Sequence, residues 1–524
     1  MRNLRRLSQV AFLLLFLWLF AASIGRVDWG AESGLNLKSA LPVDLFLRLD
    51  PLANLTAMLS AHSFSWGLFA WSIPVLALTL LAGRAFCGWI CPLGTCIDAC
   101  DKVFRPKKLR HTGREVSYPL LKYYLLAGMF VTTLFGAQLV WFLDPIPLLV
   151  RSLTVGVFGP VQWMLESTVN WPVVGAASRA ALDSWVFPEK TTVFRSATIT
   201  LILFALVLAG GVLSRRFWCR SICPLGALLG LIARIPLLHR TVKPACTECT
   251  LCQRDCKMSA VGEKGFASQP AECVYCYSCV DACPTDAAEV SFFGQRRNLG
   301  LNMDRRRVLG AMGLGLLWGV SVRSSFASQP TRDGAHRLSG RYLVRPPGSV
   351  AEDDFTQKCV RCGQCLKVCP TNGLQPALFE GGLEGIWTPV LVPRRGECVH
   401  KCNLCSQVCP TEAILPFDWE EKEHLYIGRA VIDRSTCVVW ESDKECLVCD
   451  EVCSYHAIYW TEEAGGKRPH VDMAKCVGCG ICENNCPAGG PYAAIRVTAE
   501  GDKRSLTRDQ QKAWRKAHRD PSRK

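Results

Sequence analysis

Thirty cysteines constrain what this chain of 524 residues can fold into more than any other feature of its sequence. Twenty-four of them fall into six runs of four, and four of the runs share the spacing C-x2-C-x2-C-x3-C. In chain order the runs are Cys246, Cys249, Cys252 and Cys256 (run 1); Cys273, Cys276, Cys279 and Cys283 (run 2); Cys359, Cys362, Cys365 and Cys369 (run 3); Cys398, Cys402, Cys405 and Cys409 (run 4); Cys437, Cys446, Cys449 and Cys453 (run 5); and Cys476, Cys479, Cys482 and Cys486 (run 6). Such spacing lets one loop place three thiolates on one [4Fe–4S] cluster, while the fourth cysteine binds the neighbouring cluster. The runs therefore predict six [4Fe–4S] clusters.

Two other uses of cysteine fit this pattern less well. Disulfides suit exported domains, and zinc accepts sites of four cysteines. Neither disulfides nor zinc sites require the third cysteine to follow the second after a gap of two residues and the fourth to follow the third after a gap of three. Clusters that occur in series are typical of electron transfer, so the chain is expected to carry electrons.

Apolar residues are concentrated in the first 240 residues and again near residues 308–320. Residues 146–165 are apolar too, but Arg151 and the charge pattern favour an interfacial or re-entrant segment there. Four stretches are long enough to cross a bilayer as helices, namely residues 8–25, 66–83, 119–143 and 196–213. The first of them is either a span or a cleaved signal peptide. The predicted fold class is a multidomain α-helical membrane bundle that carries two α+β ferredoxin modules of the bacterial type.

Basic residues set the expected sidedness of the membrane domain, residues 1–245. Residues 84–117 carry seven Lys and Arg against three acids, and a second basic segment, residues 215–243, follows the fourth stretch. The positive-inside rule places both segments, and the basic start of the chain, in the cytoplasm. The loops 26–65 and 144–195 balance basic and acidic residues, so they are expected outside.

Each basic segment contains the motif C-x3-C-P-L-G near its start. The membrane domain therefore contains an internal repeat of a two-helix hairpin. The four cysteines of this repeat, the hairpin cysteines, are Cys87, Cys91, Cys219 and Cys223. They are expected either to supply thiolates to one further iron–sulfur site at the membrane face, or to form structural contacts or a thiol pair. Cys96 and Cys100 follow the first copy and leave the choice of partners open.

Residues 246–295 contain runs 1 and 2 and are expected to form a cytoplasmic ferredoxin with two clusters. Each site is numbered after the run that supplies its first three cysteines. By the crossed rule, Cys283 completes site 1 and Cys256 completes site 2. Lys257 follows run 1 where most of the other runs are followed by proline.

Residues 303–330 have the features of an export signal in the middle of the chain. Met303 and Asp304 precede three arginines, an apolar run follows, and small residues surround Ala327. This pattern predicts a twin-arginine signal, either cleaved after Ala327 or kept as an anchor, with an ordinary span as the alternative. The glycines within it are expected to be helix-packing positions; they are Gly310, Gly313, Gly315 and Gly319.

The rest of the chain is expected outside the membrane. Residues 331–350 predict a linker, residues 351–500 a periplasmic domain with four clusters, and residues 501–524 a basic tail. Strands are expected within residues 426–432 and 495–497, and a helix around residues 506–518. The tail is either a solvated face or a docking element for lipid headgroups or an acidic partner.

Motifs for other chemistry do not occur in the sequence. It has no C-x2-C-H haem-attachment motif and no P-loop or dinucleotide fingerprint, and no catalytic residue is identified. His62, Asp144 and Glu166 lie near the expected outer face, where they either handle protons or are ordinary flanking polar residues. No quinone site can be recognised.

These motifs, in this order, resemble two known families over nearly the whole chain. Residues 1–290 are similar to NapH-type quinol dehydrogenase membrane ferredoxins, and residues 303–500 to NapG/MauM-type periplasmic ferredoxins with four clusters. The resemblance implies a protein of the bacterial inner membrane that oxidises quinol and passes electrons to a periplasmic oxidoreductase or cytochrome, nitrate reductase being the best-known example. The implied partners are the quinol pool and the lipid bilayer, and not nucleic acid.

Four-cluster relatives also imply how runs 3 to 6 pair. Their outer runs pair with each other and so do their inner runs. This pairing gives Cys486 to site 3, Cys453 to site 4, Cys409 to site 5 and Cys369 to site 6. The chain departs from both families by joining two proteins that are ordinarily separate, and by carrying Cys96 and Cys100.

Three other functions are compatible with these features. The first is a reverse conduit, which carries electrons from a periplasmic dehydrogenase to quinone. The second is a maturation or regulatory factor for a periplasmic metalloenzyme. The third is a passive membrane anchor, for which the cluster cysteines would be dispensable.

Overall fold

The computed structural model of the protein describes residues 1–23, 42–104, 118–171, 174–182, 192–234, 236–262, 267–292, 303–323, 342–418, 420–463, 466–488 and 493–518. These residues divide into two compact units. Unit 1 comprises the described parts of residues 1–20, 44–152 and 198–320, and unit 2 those of residues 21–43, 153–197 and 321–524. The predicted cleavage site after Ala327, residues 105–117 of the first basic segment and the linker residues 331–341 lie outside the described residues.

Short helices and two-stranded sheets make up both units. In chain order the helices are α1 Arg2–Ala22, α2 Leu45–Arg48, α3 Pro51–Ser60, α4 Trp66–Ala82, α5 Pro92–Phe104, α6 Leu121–Leu134, α7 Pro145–Arg151, α8 Gly159–Thr168, α9 Gly175–Leu182, α10 Ala197–Ala209, α11 Pro224–Ile232, α12 Leu251–Arg254, α13 Ser278–Asp281, α14 Arg305–Arg323, α15 Glu352–Lys358, α16 Gln364–Lys367, α17 Leu404–Gln407, α18 Val438–Glu441, α19 Val448–Glu451, α20 Ile481–Asn485 and α21 Arg508–His518. The strands are β1 His239–Val242, β2 Ala288–Ser291, β3 Leu374–Pro376, β4 Pro389–Leu391, β5 Arg429–Ile432, β6 Ile458–Glu463, β7 Gly466–Val471 and β8 Ile495–Thr498. All pairs are antiparallel, β1 with β2, β3 with β4, β5 with β8 and β6 with β7.

Two helical hairpins in unit 1 have the same ending. The apolar helices α4 and α10 each lead into a short π-helical turn, Phe86–Ile90 or Trp218–Ile222. The helices that follow, α5 and α11, begin with proline, whose fixed φ suits the first turn of a helix. The hairpin repeat of the sequence is therefore also a repeat of structure.

The two-cluster ferredoxin of unit 1 is closed by a strand pair. Val242 of β1 pairs with Ala288 of β2, and His239 pairs with Ser291. The module therefore starts at β1, a few residues before the predicted boundary at residue 246, because β1 supplies the partner that its last strand needs.

Two helical segments among the described residues are long and apolar enough to cross a membrane by length and composition, Arg2–Ala22 and Pro145–Thr168. The apolar helices Trp66–Ala82, Leu121–Leu134 and Ala197–Val212 are shorter. A core helix passes the same test, and 61% of the second window is buried within the protein. Arg151 ends α7, and the segment continues through a π-helical stretch, Ser152–Phe158, into α8. The guanidinium of Arg151 lies over the ring of Trp141 at 5.3 Å, a favourable cation–π contact.

Glycine allows α14 to pack closely on α6. A Cβ on Gly315 would lie 2.3 Å from the carbonyl oxygen of Gly128, and Gly319 also faces α6. Small residues permit this kind of backbone contact between helices. The helix-packing prediction is correct for Gly315 and Gly319. It is wrong for Gly310 and Gly313, where an added Cβ would meet no described atom within 4 Å.

The core of unit 2 combines the four cysteine runs with residues from the first half of the chain. Val155 and Phe194 are buried together with Leu366, Ile414 and Ile495 among cysteines of runs 3 to 6. The described part of residues 153–197 therefore packs with this module, whereas the sequence assigned it to a membrane domain that ends at residue 245. Val155 and Phe194 are buried there, while Trp163 and Trp171 are exposed.

Residues 342–350 belong to the same unit and are not a linker. Leu343 and Val344 are buried, and the fully buried Arg345 pairs with Glu352 at 2.5 Å. Arg345 also donates to the hydroxyl of Thr388 at 2.8 Å. A buried arginine needs such fixed partners, so the Gly and Pro residues of this segment mark turns in a packed structure.

The predicted strands and tail helix of unit 2 are present. Residues 429–432 form β5, and β8 pairs with it from Thr498 to Ile495. α21 matches the helix predicted around residues 506–518. Its Trp514 packs edge-on against Tyr426 with 5.1 Å between ring centroids, and Lys503 lies 4.9 Å above the Trp514 ring. One face of the tail helix is thus occupied by the module itself.

Candidate iron–sulfur sites

Site 2 is a cavity in unit 1. It is lined by Cys273, Cys276 and Cys279 of run 2 and by Cys256 of run 1, among mainly apolar side chains. The fourth cysteine therefore comes from the other run, as the crossed rule predicts. Burial and then the neighbouring Cys279 raise the pKa of Cys273 well above its ordinary value. Such a thiol is neutral unless a metal ion deprotonates it.

Site 1 is more open. Cys252 lies within electrostatic range of Cys246 and Cys249, and Cys249 is exposed. The guanidinium of Arg240 donates to the sulfur of Cys252 at 3.5 Å. The described contact of Cys283 is with the hydroxyl of Thr285, so its place in site 1 stays a prediction.

In unit 2, each run pairs with its neighbour in sequence. One cavity is lined by the three cysteines of site 5 and by Cys486 of run 6. In return, Cys453 of run 5 lies within electrostatic range of all three cysteines of site 6. Cys409 likewise approaches site 3, and Cys369 approaches site 4. The nested pairing that the resemblance implied is wrong for these four cysteines.

The chain path explains this difference. The pair β3 and β4 lies between runs 3 and 4, and the pair β6 and β7 lies between runs 5 and 6. Each sheet brings two consecutive runs together over a short loop, which costs less chain entropy than closing a longer one. Runs 3 and 4 therefore fold as one two-cluster ferredoxin, and runs 5 and 6 as another.

The four sites of unit 2 form a continuous series. Adjacent sites share thiols within electrostatic range of each other, namely Cys365 with Cys405, Cys398 with Cys479, and Cys482 with Cys449. The order along the series is site 3, site 4, site 6 and site 5.

Backbone conformation accounts for the two-residue gaps. In runs 1, 2, 3 and 6, the residues on both sides of the second cysteine have positive φ. In run 2 these residues are Tyr275 and Tyr277, with φ of 49° and 59°. Positive φ costs a residue other than glycine roughly 1–3 kcal/mol and is concentrated at functional sites. Runs 4 and 5 have other spacings, and the residues after their second cysteines, Asn403 and Leu447, have negative φ.

Backbone N–H groups point at the last cysteine of several runs. The sulfur of Cys256 accepts from the N–H of Ala260 at 3.2 Å, and that of Cys453 from the N–H of Ala457 at 3.3 Å. Hydrogen bonds to sulfur are among the factors that set the reduction potential of a cluster. The loop after each of these cysteines therefore contributes to the site.

The hairpin cysteines meet at one place in unit 1. All four are buried, and Cys223 lies within electrostatic range of the other three. Cys96 and Cys100 do not join them. They lie one turn apart on α5, and burial followed by Cys100 raises the pKa of Cys96 to about 11.

Two buried carboxylates fix the ferredoxin of unit 1 against the hairpins. Asp98 of α5 pairs with Arg5 at 2.6 Å, Arg216 at 2.9 Å and Lys257 at 3.2 Å. Lys257 is the residue that replaces proline after run 1, so this departure from the pattern has a structural role. A buried charge is tolerated only when it is paired and hydrogen-bonded in this way.

The second carboxylate, Glu272, directly precedes run 2. It accepts from Arg84 at 2.9 Å and from the hydroxyl of Tyr123 at 2.7 Å, and it pairs with Lys122. A Cβ on Gly88 would lie 2.4 Å from the carbonyl oxygen of Val274, so the backbones of the first hairpin turn and of run 2 touch.

Sequence reasoning missed Asp98, Glu272, Arg84 and Arg216. For the two arginines a signal existed, because each lies three residues before the first cysteine of its hairpin motif. For the two carboxylates no signal existed, since their partners are far away in the chain.

The polar residues proposed for the outer face have different environments. His62 is exposed, and Glu166 is half-buried and accepts from Gln162 at 3.2 Å. Asp144 is fully buried near the equally buried Asp50, and the two carboxyl groups are close enough to interact electrostatically. Neither carboxyl oxygen of Asp144 has a hydrogen-bond partner among the described residues. The proximity of Asp50 was not foreseen.

Within the described ranges, no group of three or more His, Cys, Asp or Glu side chains is arranged to hold a metal ion. A cubane makes a different demand, because each of its four thiolates binds a different iron. The cavities of sites 2 and 5 each combine four cysteines with mainly apolar walls. These two donor sets fit a [4Fe–4S] cluster.

Known protein families match the chain at these places. A model described as a 4Fe-4S binding domain matches residues 64–111 and 196–243, which contain the two hairpin motifs. A second model with this description matches residues 269–289 and 355–375. A model of a 4Fe-4S dicluster domain matches residues 444–489, in which the structure pairs runs 5 and 6.

Individual relatives agree with these matches. The chain is 35% identical to the methylamine utilization ferredoxin-type protein MauM of Methylorubrum extorquens over 187 residues, which are 34% of this chain and 82% of MauM. It is 33% identical to the ferredoxin-type protein NapG of Escherichia coli over 35% of this chain and 79% of NapG. It is also 26% identical to the putative electron transport protein YccM of Escherichia coli, over 53% of this chain and 66% of YccM. With most of MauM and NapG covered at this identity, and with paired cysteine runs in the structure, the chain belongs to the MauM/NapG family of ferredoxin-type 4Fe-4S proteins.

Proposed function

We propose that the protein is a membrane-bound electron conduit of the bacterial inner membrane, which oxidises quinol and passes electrons to a periplasmic oxidoreductase or cytochrome. Six [4Fe–4S] clusters occupy sites 1 to 6. Sites 1 and 2 lie on the cytoplasmic side and sites 3 to 6 on the periplasmic side. The first half of the chain acts as a NapH-type quinol dehydrogenase fused to a periplasmic ferredoxin.

This proposal rests on which segments of the chain contact which ferredoxin module. In unit 1, the segments that the positive-inside rule assigns to the cytoplasm contact the two-cluster ferredoxin. Arg5 at the start of the chain and Arg216 after α10 both pair with Asp98, which also pairs with Lys257 of the ferredoxin.

In unit 2, the segments expected outside contact the four-cluster module. Lys367 donates to the hydroxyl of Ser23, at the outer end of the first apolar stretch, at 2.9 Å. Val43 of the first outer loop packs in the module, and Asn372 donates to the carbonyl of Val193 in the second outer loop at 3.2 Å. The expected sides of these segments came from charge and that of the module from the twin-arginine pattern, so their agreement supports a two-sided arrangement.

We further propose that the segment with the twin-arginine pattern is kept as an anchor. α14 packs on α6 through Gly315 and Gly128. Its start is also held, since the backbone N–H of Asp304 donates to the hydroxyl of Tyr124 at 3.3 Å. A signal that is removed after export is not expected to pack on a helix of the membrane domain.

Quinol oxidation releases protons, and the pair Asp50 and Asp144 is suited to take one of them. Both carboxyl groups are fully buried and are close enough to interact electrostatically. Two interacting carboxyl groups titrate as a pair, so together they can hold one proton. In the proposed topology both lie at the outer face, where the protons of quinol would be released.

The conduit is tested by adding reduced quinol to the anaerobic, oxidised protein in detergent. Cluster absorbance should bleach to a substantial fraction of the bleaching that dithionite causes. If dithionite bleaches the cluster absorbance but no quinol does, the proposal is wrong. Reduction potentials of the clusters of unit 2 above that of quinone support flow to the periplasm, and potentials below it indicate the reverse conduit.

The proton pair is tested with Asp144→Asn. We expect quinol-driven bleaching to slow about tenfold or more, because general acid–base groups contribute about 10²–10⁴ in rate, while dithionite still reduces every cluster. Glu166→Gln, a half-buried carboxylate on α8, is the matched control and should leave the rate unchanged. Equal rates in the two variants would remove Asp144 from the proposal.

A further inference from the structure

The hairpin cysteines are not part of sites 1 to 6, yet the two copies of their motif have the same local structure. The N–H of Cys91 donates to the carbonyl of Phe86 at 2.9 Å, and the N–H of Cys223 to that of Trp218 at 2.9 Å. Cys91 has φ −57° and ψ 117°, and Cys223 has φ −58° and ψ 112°. Two distant segments thus present their thiols in the same way.

The second cysteine of each motif is prepared for negative charge. Cys91 lies at the start of α5 and Cys223 at the start of α11, where helix dipoles favour a thiolate. The sulfur of Cys223 accepts from the N–H of Gly226 at 3.3 Å, and Gly94 bonds Cys91 in the same position.

Two fully buried arginines link the motifs crosswise. Arg84 of the first hairpin donates to the carbonyl of Cys219 at 3.4 Å, and Arg216 of the second donates to the carbonyl of Cys87 at 3.2 Å. Each hairpin therefore holds the cysteine loop of the other. Both guanidinium groups also pair with buried carboxylates, Arg84 with Glu272 and Arg216 with Asp98, and they place N–H donors beside four thiols. A cluster bound by four thiolates is negative and is stabilised by such donors.

Further donors lie at the same place. The Nε of Arg84 and the Nε1 of Trp218 are buried, and neither has an acceptor among the described residues. The sulfides of an iron–sulfur cluster accept hydrogen bonds of this kind.

A redox-active thiol pair fits this site poorly. All four hairpin cysteines are buried, whereas reactive cysteines are partly exposed. A thiol pair would also use only two of the four sulfurs that the two hairpins bring together.

We propose that Cys87, Cys91, Cys219 and Cys223 together bind one further [4Fe–4S] cluster, shared between the two hairpins, and that Cys96 and Cys100 are not ligands. The inference deepens the proposed function, on which the role of this cluster rests. The cluster is the point at which an electron from quinol leaves the helical part of unit 1.

Site 2 is the acceptor next to it. The backbones of Gly88 and Val274 are in contact, and the indole N–H of Trp89 donates to the carbonyl of Tyr275 at 3.0 Å. Arg216 lies within electrostatic range of Cys219 and also of Cys276 in site 2. The hairpin cluster is oxidised by one electron, and the cluster of site 2 is reduced by the same electron.

The experiment counts iron, acid-labile sulfide and zinc in the anaerobically purified full chain and in Cys91→Ser, Cys223→Ser and Cys96→Ser. Seven cubanes contain about 28 iron atoms per chain. Each of the first two variants should lose about one seventh of the iron and sulfide, and one cluster signal in the electron paramagnetic resonance spectrum of the reduced protein. Cys96→Ser, the control on the same helix, should lose neither.

The iron and sulfide content of the unaltered chain tests the seventh cluster even if a variant fails to fold. About 24 iron atoms, or zinc or disulfides at the hairpin cysteines, would overturn the inference. So would an equal loss in Cys96→Ser. No quinol enters these measurements, so a missing seventh cluster and a failed quinol reaction are separate results.

Discussion

Asp98 illustrates how single residues hold the clusters of unit 1 in place. It accepts from Arg5, Arg216 and Lys257, which belong to three separate parts of the chain. Burial alone would raise the pKa of this carboxyl group, but Arg216, Lys257 and Arg5 outweigh burial and hold the pKa well below its ordinary value. The carboxylate is therefore charged throughout the physiological range.

We predict that Asp98→Asn destabilises unit 1 by roughly 3–5 kcal/mol, because it leaves buried cations without their partner. The temperature at which cluster absorbance is lost should fall by several degrees. Glu289→Gln, which removes the exposed pair of Glu289 with Lys243, is the control and should change that temperature little.

The same residue gives a signed pH dependence. Since the pKa of folded Asp98 is lowered, its stabilisation is complete above the unfolded value of about 3.9 and is lost only as pH falls through the folded value. The difference in melting temperature between the unaltered chain and Asp98→Asn should therefore be the same at every pH between 6 and 8. A difference in melting temperature that becomes smaller as the pH falls from 8 to 6 would contradict this assignment.

At the scale of elements, the contact between α14 and α6 depends on particular glycines. We predict that Gly315→Leu costs about 1–3 kcal/mol, typical of overpacking, because its side chain would enter the backbone of Gly128. Gly313→Leu, on the same helix but facing open space, is the matched control. The melting temperature of unit 1 should fall in the first variant only, and equal effects would contradict the packing.

Some features of the elements could be predicted from the sequence and others could not. The spacing of runs 1 and 2 predicted the donor set of site 2, because local spacing determines how one loop wraps a cluster. The pairing of runs 3 to 6 could not be obtained in this way. It depends on the short sheets between the runs, and β3 and β4 have only three residues each.

The helices and carboxylates of unit 1 show the same division. The hairpin repeat was visible in the sequence because its motif recurs with the same letters. The partners of Asp98 and Glu272 lie tens to hundreds of residues away, and no local pattern marks such pairs. Residues 153–197 were grouped with the membrane domain because apolar composition fits a protein core as well as a membrane, and their described part packs with the four-cluster module.

At the scale of the whole molecule, the cysteines divide between two units with different organisation. Unit 1 contains sites 1 and 2 and the hairpin cysteines, and unit 2 contains a series of four sites whose spatial order differs from their order in the chain. The family relationship accounts for ferredoxin-type chemistry. The sorting of contacts by expected side supports the two-sided arrangement on which the proposed conduit depends.

The contact of Gly88 with Val274 has a consequence for kinetics. Ferredoxins that diffuse must first meet their donor, and charge steers that encounter, so added salt slows it. In the proposed conduit the donor is the hairpin site and the acceptor is site 2, and these two parts of unit 1 are already in contact and held by buried ion pairs. Reduction of sites 1 and 2 by quinol, followed by stopped-flow absorbance, should therefore proceed at the same rate at low and high ionic strength and at any protein concentration.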